Sequence, residues 1–90
     1  MKLSEQAMLV RAAKDLGWRI AEQDMNAATP DSTEIKRKIN ADTTLLEELT
    51  PLAQSETRSI LESAMIGAYL QGWTLAHSDA IRRLRTATRV

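Results

Sequence analysis

Apolar residues recur every three or four positions in the first quarter of the chain, which predicts a helix over about residues 4–24. Ser4 is expected to cap its start, and Asn26 is a plausible end signal. A short connection then leads to Pro30. The apolar face of this helix is formed by Leu9, Ala13, Leu16 and Ile20.

A second helix is predicted over about residues 30–49, with a break near residues 40–43. Thr29, Pro30 and Asp31 supply a hydroxyl, a proline and an acid in the order typical of a helix N-terminus. Residues 40–44 favour helix only weakly, so we expect the break there, where Asp42 can cap a new turn. The apolar positions on either side of the break are Ile35, Ile39, Leu45, Leu46 and Leu49.

The rest of the chain predicts one long helix over about residues 51–86. Thr50 and Pro51 repeat the start signal, with Ser55 as an alternative cap, and the internal glycines each cost only about 1 kcal/mol. At 1.5 Å per residue the long helix spans about 45 to 52 Å, against about 30 Å for the first. It must therefore project past its neighbours.

These patterns predict an all-α fold: a small three- to four-helix bundle with a long C-terminal helix, in a single domain over residues 1–90. Strand-favouring residues are sparse, and Phe is absent. Cys is also absent, which excludes disulfides and thiolate metal sites. The polar first residues do not resemble a secretory signal, so we expect a cytoplasmic protein.

Small residues recur every four positions along the long helix and form a groove suited to close helix packing. Residues 64–77 carry no formal charge, yet they are too few and too polar to span a membrane. Since two short helices can cover only part of this surface, we expect copies of the chain to associate through it. The alternative is packing on the first helix within one chain. The predicted interface comprises Ala64, Met65, Ala68, Tyr69, Gly72, Trp73, Ala76 and Ala80.

Residues 17–24 and 72–79 share the pattern Gly-Trp-x-aliphatic-Ala-x-x-Asp. If the match is meaningful, the two segments occupy similar environments; alternatively, helix packing simply favours Gly and Ala beside large aromatic residues. Trp18 lies off the apolar stripe of its helix. It is a candidate anchor for a partner protein or a contact within the chain.

The single histidine, His77, is followed by Ser78 and Asp79, but neighbouring side chains diverge around a helix and cannot form a catalytic triad by themselves. One His without Cys also gives no metal-ligand spacing. We therefore expect no catalytic residue, no metal and no cofactor.

The twelve basic and twelve acidic residues balance, so no overall field attracts nucleic acid. Arginines nevertheless crowd the last nine residues, where they complement the helix dipole or contact a phosphate. They are Arg82, Arg83, Arg85 and Arg89.

We therefore expect a non-enzymatic helical protein-binding module, such as an adaptor, inhibitor or regulatory subunit, that acts as a homo-oligomer and also binds another protein. One alternative is a small dimeric nucleic-acid-binding regulator that uses the C-terminal arginines. Another is a minimal helical enzyme or small-ligand binder with a site between subunits. The predicted partner-binding residues are Trp18, His77, Arg82, Arg83 and Arg85.

Overall fold

The computed structural model describes residues 2–52 and 56–87, which form four α-helices and one short 3-10 turn. No strand occurs in these two ranges, which confirms the predicted all-α bundle with a long C-terminal helix. The elements are α1 (Leu3–Gln23), α2 (Ser32–Ala41), α3 (Thr43–Leu49), the 3-10 turn (Thr50–Leu52) and α4 (Glu56–Ala87).

Aspartate side chains cap both short helices. Asp31 accepts a hydrogen bond from the backbone N–H of Glu34 at 2.8 Å, so α2 begins at Ser32 rather than at Pro30. Asp42 accepts one from the N–H of Leu45 at 3.0 Å and starts α3 within the predicted break. Each carboxylate satisfies one of the N–H groups that a helix start leaves without an intrahelical partner.

The two long helices begin at other residues than expected. Lys2, not Ser4, is the N-cap of α1, and its backbone N–H donates to the Glu5 carboxylate at 3.3 Å. The segment around Pro51 forms the 3-10 turn, and α4 starts at Glu56. The alternative cap, Ser55, lies outside the described residues.

A single hydrophobic core joins all four helices. Within it the large side chains of α4 are covered by the same chain, chiefly by α1 and also by α2: Met65, Tyr69 and Trp73 are 0%, 1% and 4% exposed. None of the described helices is both long and apolar enough to cross a lipid bilayer. The other large core residues are Leu9, Leu16, Ile35, Ile39, Leu45, Leu49 and Leu61.

The backbones of α1 and α4 meet at a pair of glycines. A Cβ atom on Gly17 would lie 2.1 Å from the carbonyl oxygen of Tyr69, and one on Gly72 would lie 2.1 Å from that of Lys14. The contact is reciprocal, because Tyr69 lies three residues before Gly72 and Lys14 lies three residues before Gly17. This reciprocal contact gives the two glycines of the Gly-Trp repeat matching environments, whereas the tryptophans that follow them differ in burial.

Beyond the glycines, α1 and α4 continue in the same direction, because Trp18 and Met25 share a cleft with Ala76 and Leu84 further along each helix. The helix α1 ends at Gln23, whereas α4 runs on, and the side chains of residues 81–86 are all exposed. The molecule is therefore a rod of 53 × 24 × 19 Å with the end of α4 projecting from it.

Tyr69 connects α4 to α2 in the core. Burial raises the pKa of its phenol above the ordinary 10.0; the carboxylate of Glu34 raises it further, and Arg37 opposes the shift. A second link between these helices is the ion pair from Lys36 Nζ to Glu62 Oε1, at 3.4 Å.

The raised pKa of Tyr69 predicts loss of stability in alkali. As the pH rises, the unfolded chain releases the phenolic proton near pH 10, before the folded chain does. The contribution of this phenol to the free energy of unfolding is therefore complete below pH 10 and is lost as the pH rises beyond it. Because Tyr69 is the only tyrosine, its absorbance as tyrosinate reports this one group. We expect a titration midpoint above 10 for the folded protein, and a midpoint at or below 10 would contradict the burial of the phenol.

Candidate functional site

Beyond the glycine crossing, α1 and α4 separate and leave a cleft of about 420 Å³. Ala76 and Ala80 form part of its lining, and their small side chains leave room for a ligand to approach α4. The larger apolar side chains are Trp18, which is half-buried, and Met25 and Leu84, which are 37% and 51% exposed. The cleft therefore offers apolar surface that the fold does not cover.

Charged groups border this cleft. The indole N–H of Trp18 donates to the carboxylate of Glu22, which fixes the orientation of the ring. Asp79 binds two arginines: one carboxylate oxygen lies 2.8 Å from Arg82 and the other 3.0 Å from Arg83. An apolar interior with a few polar groups at the edge is typical of sites that bind amphipathic ligands.

His77 lies outside the cleft and stacks on Trp73, with ring centroids 4.7 Å apart and ring planes inclined by 10°. Its Nδ1 atom is buried and has no hydrogen-bond partner among the described residues. Since Trp73 belongs to the core, this stack extends the core toward the surface of α4. It does not bring His77 together with Trp18.

Of the predicted partner-binding residues, the structure brings Trp18 and Arg83 into one site, since both line the cleft. Arg82 adjoins the site through their common neighbour Asp79. Arg85 lies on the exposed, projecting end of α4. The predicted partner-binding residues therefore do not form one surface. Trp18 and Arg83 line the cleft and Arg82 lies beside it, whereas His77 and Arg85 lie elsewhere on α4.

Most of the predicted oligomer interface is buried within one chain. The prediction assumed that neighbouring helices could not cover this surface, but α1 lies along α4, because Gly17 lets the two backbones approach, and α2 packs on α4 as well. The reason given for association through this surface is therefore removed, and the intrachain alternative describes the buried residues, while the oligomeric state itself stays a prediction. The buried members are Met65, Tyr69, Gly72, Trp73 and Ala76; Ala64 is exposed, while Ala68 and Ala80 are half-buried.

The charge at the end of α4 is partly balanced. Arg82 and Arg83 share the carboxylate of Asp79, so the field that they present to a phosphate is smaller than their sequence suggests. This arrangement weakens the nucleic-acid alternative. Arg89 lies outside the described residues.

Four residues that line the cleft were not among the predicted site residues: Glu22, Met25, Asp79 and Leu84. The sequence carried a signal for Asp79, because Arg82 and Arg83 follow it at the three- and four-residue spacings of helical ion pairs. It carried none for Met25 or Leu84, whose meeting depends on how far two distant helices separate.

No group of three or more His, Cys, Asp and Glu side chains within residues 2–52 and 56–87 is placed to hold a metal ion. Comparisons of the chain with protein-family models, characterised proteins and solved structures found no match. The cleft between α1 and α4 is therefore the feature that bears most directly on function.

Proposed function

We propose that this protein is a non-enzymatic helical protein-binding module whose cleft receives an amphipathic helix of another protein. The observation that supports this is the difference between two tryptophans. Trp18 and Trp73 each follow one of the paired glycines, yet Trp73 is 4% exposed in the core, whereas Trp18 is half-buried beside the cleft. Trp73 belongs to the core that residues of α1, α2 and α3 share with α4. A helix of the partner protein would bury the part of the Trp18 side chain that this chain leaves exposed.

The chemistry of the cleft describes this partner. Small side chains at Ala76 and Ala80 admit a closely packed helix, and Met25 and Leu84 offer contacts to apolar residues one turn apart. Trp18 is the anchor, because partly exposed tryptophans contribute strongly to protein interfaces. An acidic residue of the partner would face Arg83, and the module would act as an adaptor, inhibitor or regulatory subunit by covering that partner's surface.

Selection from a displayed library of random peptides, each about four helical turns long, tests this proposal. We expect the protein to enrich peptides with apolar residues at helical spacing and an acid near one end. Their dissociation constants should be on the order of micromolar, as for small, largely preformed grooves. Binding should shift the fluorescence of Trp18, since the peptide covers its ring.

Two variants check that the cleft is the binding site. Ala80→Glu and Met25→Lys place charge in the cleft and should weaken binding of the selected peptides by about tenfold or more. Leu75→Lys is the matched control, because Leu75 is 47% exposed and does not line the cleft. Failure to enrich any helical peptide, or equal loss of binding in the control, would contradict the proposal.

A further inference from the structure

The start of the bundle and the projecting tip of α4 differ in charge. The start of α4 and the neighbouring ends of α1 and α3 are rich in acids, whereas the projecting end of α4 is rich in arginine, of which Arg82 and Arg83 are partly balanced by Asp79. Because the chain is neutral as a whole, two copies do not repel each other at long range, and the acidic surface attracts the arginine-rich tip. The exposed acids are Glu5, Glu47, Glu48 and Glu56; the exposed arginines are Arg82, Arg83 and Arg85.

The acidic end contains an apolar groove between α1 and α3, with a volume of about 380 Å³. Buried Leu9 and Leu45 contribute to its lining, and Met8, which is 71% exposed, stands beside them. The groove is also lined by the exposed acids Glu5 and Glu48. It is therefore suited to an apolar segment that carries positive charge.

The opposite end of the same chain has this chemistry. Ile81 and Leu84 lie one turn apart on α4 and are 37% and 51% exposed. Arg82 and Arg85 flank them on the helix surface, and this segment extends past the end of α1. Apolar anchors three residues apart on a projecting helix are the usual form of a segment that inserts into a groove.

We propose that the projecting end of α4 docks into the groove between α1 and α3 of a second copy of this chain. Ile81 and Leu84 pack against Met8, Leu9 and Leu45, while the arginines approach the two glutamates. The contact is head-to-tail, so each copy retains one unused groove and one unused helix end, and assembly continues beyond two copies unless a ring closes. This association uses other residues than the expected interface on the buried side of α4. It does not require binding of another protein in the cleft, but it shares Leu84 with the cleft, so a peptide bound there should compete with it.

Light scattering of the intact protein tests the association itself. We expect the average mass to rise above the 10.0 kDa of one chain as the concentration increases from micromolar to millimolar. Added salt should lower the mass at a given concentration, because the guiding charges are exposed and screened. A mass of one chain throughout this range at low salt would overturn the proposal.

Two double variants identify the surfaces. Met8→Gln with Glu48→Gln removes an anchor and a charge from the groove, and Ile81→Gln with Arg82→Gln does the same at the helix end. Each variant alone should weaken association by about tenfold or more. Glutamine is a good helix former, so both variants keep their helices.

Mixing the two variants is the decisive experiment. The groove variant keeps an intact helix end, and the helix-end variant keeps an intact groove, so the mixture should form pairs of twice the 10.0 kDa chain mass and nothing larger. A contact between like surfaces, groove to groove or helix end to helix end, would not give this result. No pairs in the mixture, or continued growth beyond pairs, would overturn the head-to-tail arrangement.

The matched control is Leu3→Gln with Glu47→Gln, which changes the same types of residue on exposed positions outside the groove. It should associate as the unaltered chain does. Equal loss of association in this control would show that general charge, not the groove, governs the contact. Peptide binding in the cleft, measured on the groove variant, separates failure of this proposal from failure of the proposed function, because Met8 and Glu48 do not line the cleft.

Discussion

Replacing Gly17 or Gly72 by alanine is expected to destabilise the protein by about 2 kcal/mol or more. The new methyl group would lie 2.1 Å from a backbone carbonyl oxygen of the other helix, and a backbone cannot move aside as a flexible side chain can. Because the clash is with backbone, the overpacking cost should reach or exceed the upper end of the usual range of about 1 to 3 kcal/mol, and the helix propensity of alanine offsets only about 1 kcal/mol. Thermal unfolding should shift down by roughly 10 °C in a domain of this size.

Gly67→Ala is the matched control for these two substitutions. No atom lies within 4 Å of a Cβ built on Gly67, so alanine there adds helix propensity without a clash and should stabilise the protein by up to about 1 kcal/mol. Replacement of glycine by alanine is thus expected to raise the stability at position 67 and to lower it at position 72 of the same helix. Equal melting temperatures for Gly67→Ala and Gly72→Ala would rule out the backbone contact between α1 and α4.

Ile39→Ala should cost about 2 to 5 kcal/mol, which is a large part of the 5 to 15 kcal/mol that holds a small domain together. Ile39 is 0% exposed, and α2 is short, so that Ile39 and Ile35 are its two buried anchors in the core. Denaturant unfolding of the variant, followed by circular dichroism, measures this loss.

Ile60→Ala provides the comparison, because Ile60 is 64% exposed on α4. Its truncation removes little buried surface and improves helix propensity, so we expect a change within about 0.5 kcal/mol. A similar loss for both isoleucines would mean that another copy or partner covers Ile60 in solution. A negligible loss at Ile39 would mean that α2 is not packed as the structure shows.

Much of the fold could be predicted because its signals are local. The helical spacing of apolar residues marked α1, and the weak helix formers around Asp42 marked the break between α2 and α3. Boundaries were less predictable where competing caps stand a few residues apart. Thr29 and Asp31 both offered an acceptor oxygen, and only the backbone path into α2 selected Asp31.

The candidate site was predictable only in part, through Trp18 and Arg83 as partner-binding residues and through Ala76 and Ala80, which were predicted for another surface, the oligomer interface. Trp18 lay off its apolar stripe, and Arg83 belonged to a visible basic cluster, so both were noticeable before the fold was known. Their meeting with Met25 and Leu84 depends on the separation of α1 and α4 after the crossing. No spacing within either helix encodes that separation.

By itself, the sequence determined the helices, the excess length of α4 and the repeated Gly-Trp pattern, since each follows from spacing along one segment. Only the tertiary structure decided that Gly17 and Gly72 face each other, and hence that the apolar side of α4 is buried within its own chain. The physical reason is that helix periodicity fixes which face is apolar, but not which neighbour covers it. That choice depends on how closely two backbones can approach, and here two glycines more than fifty residues apart permit it together.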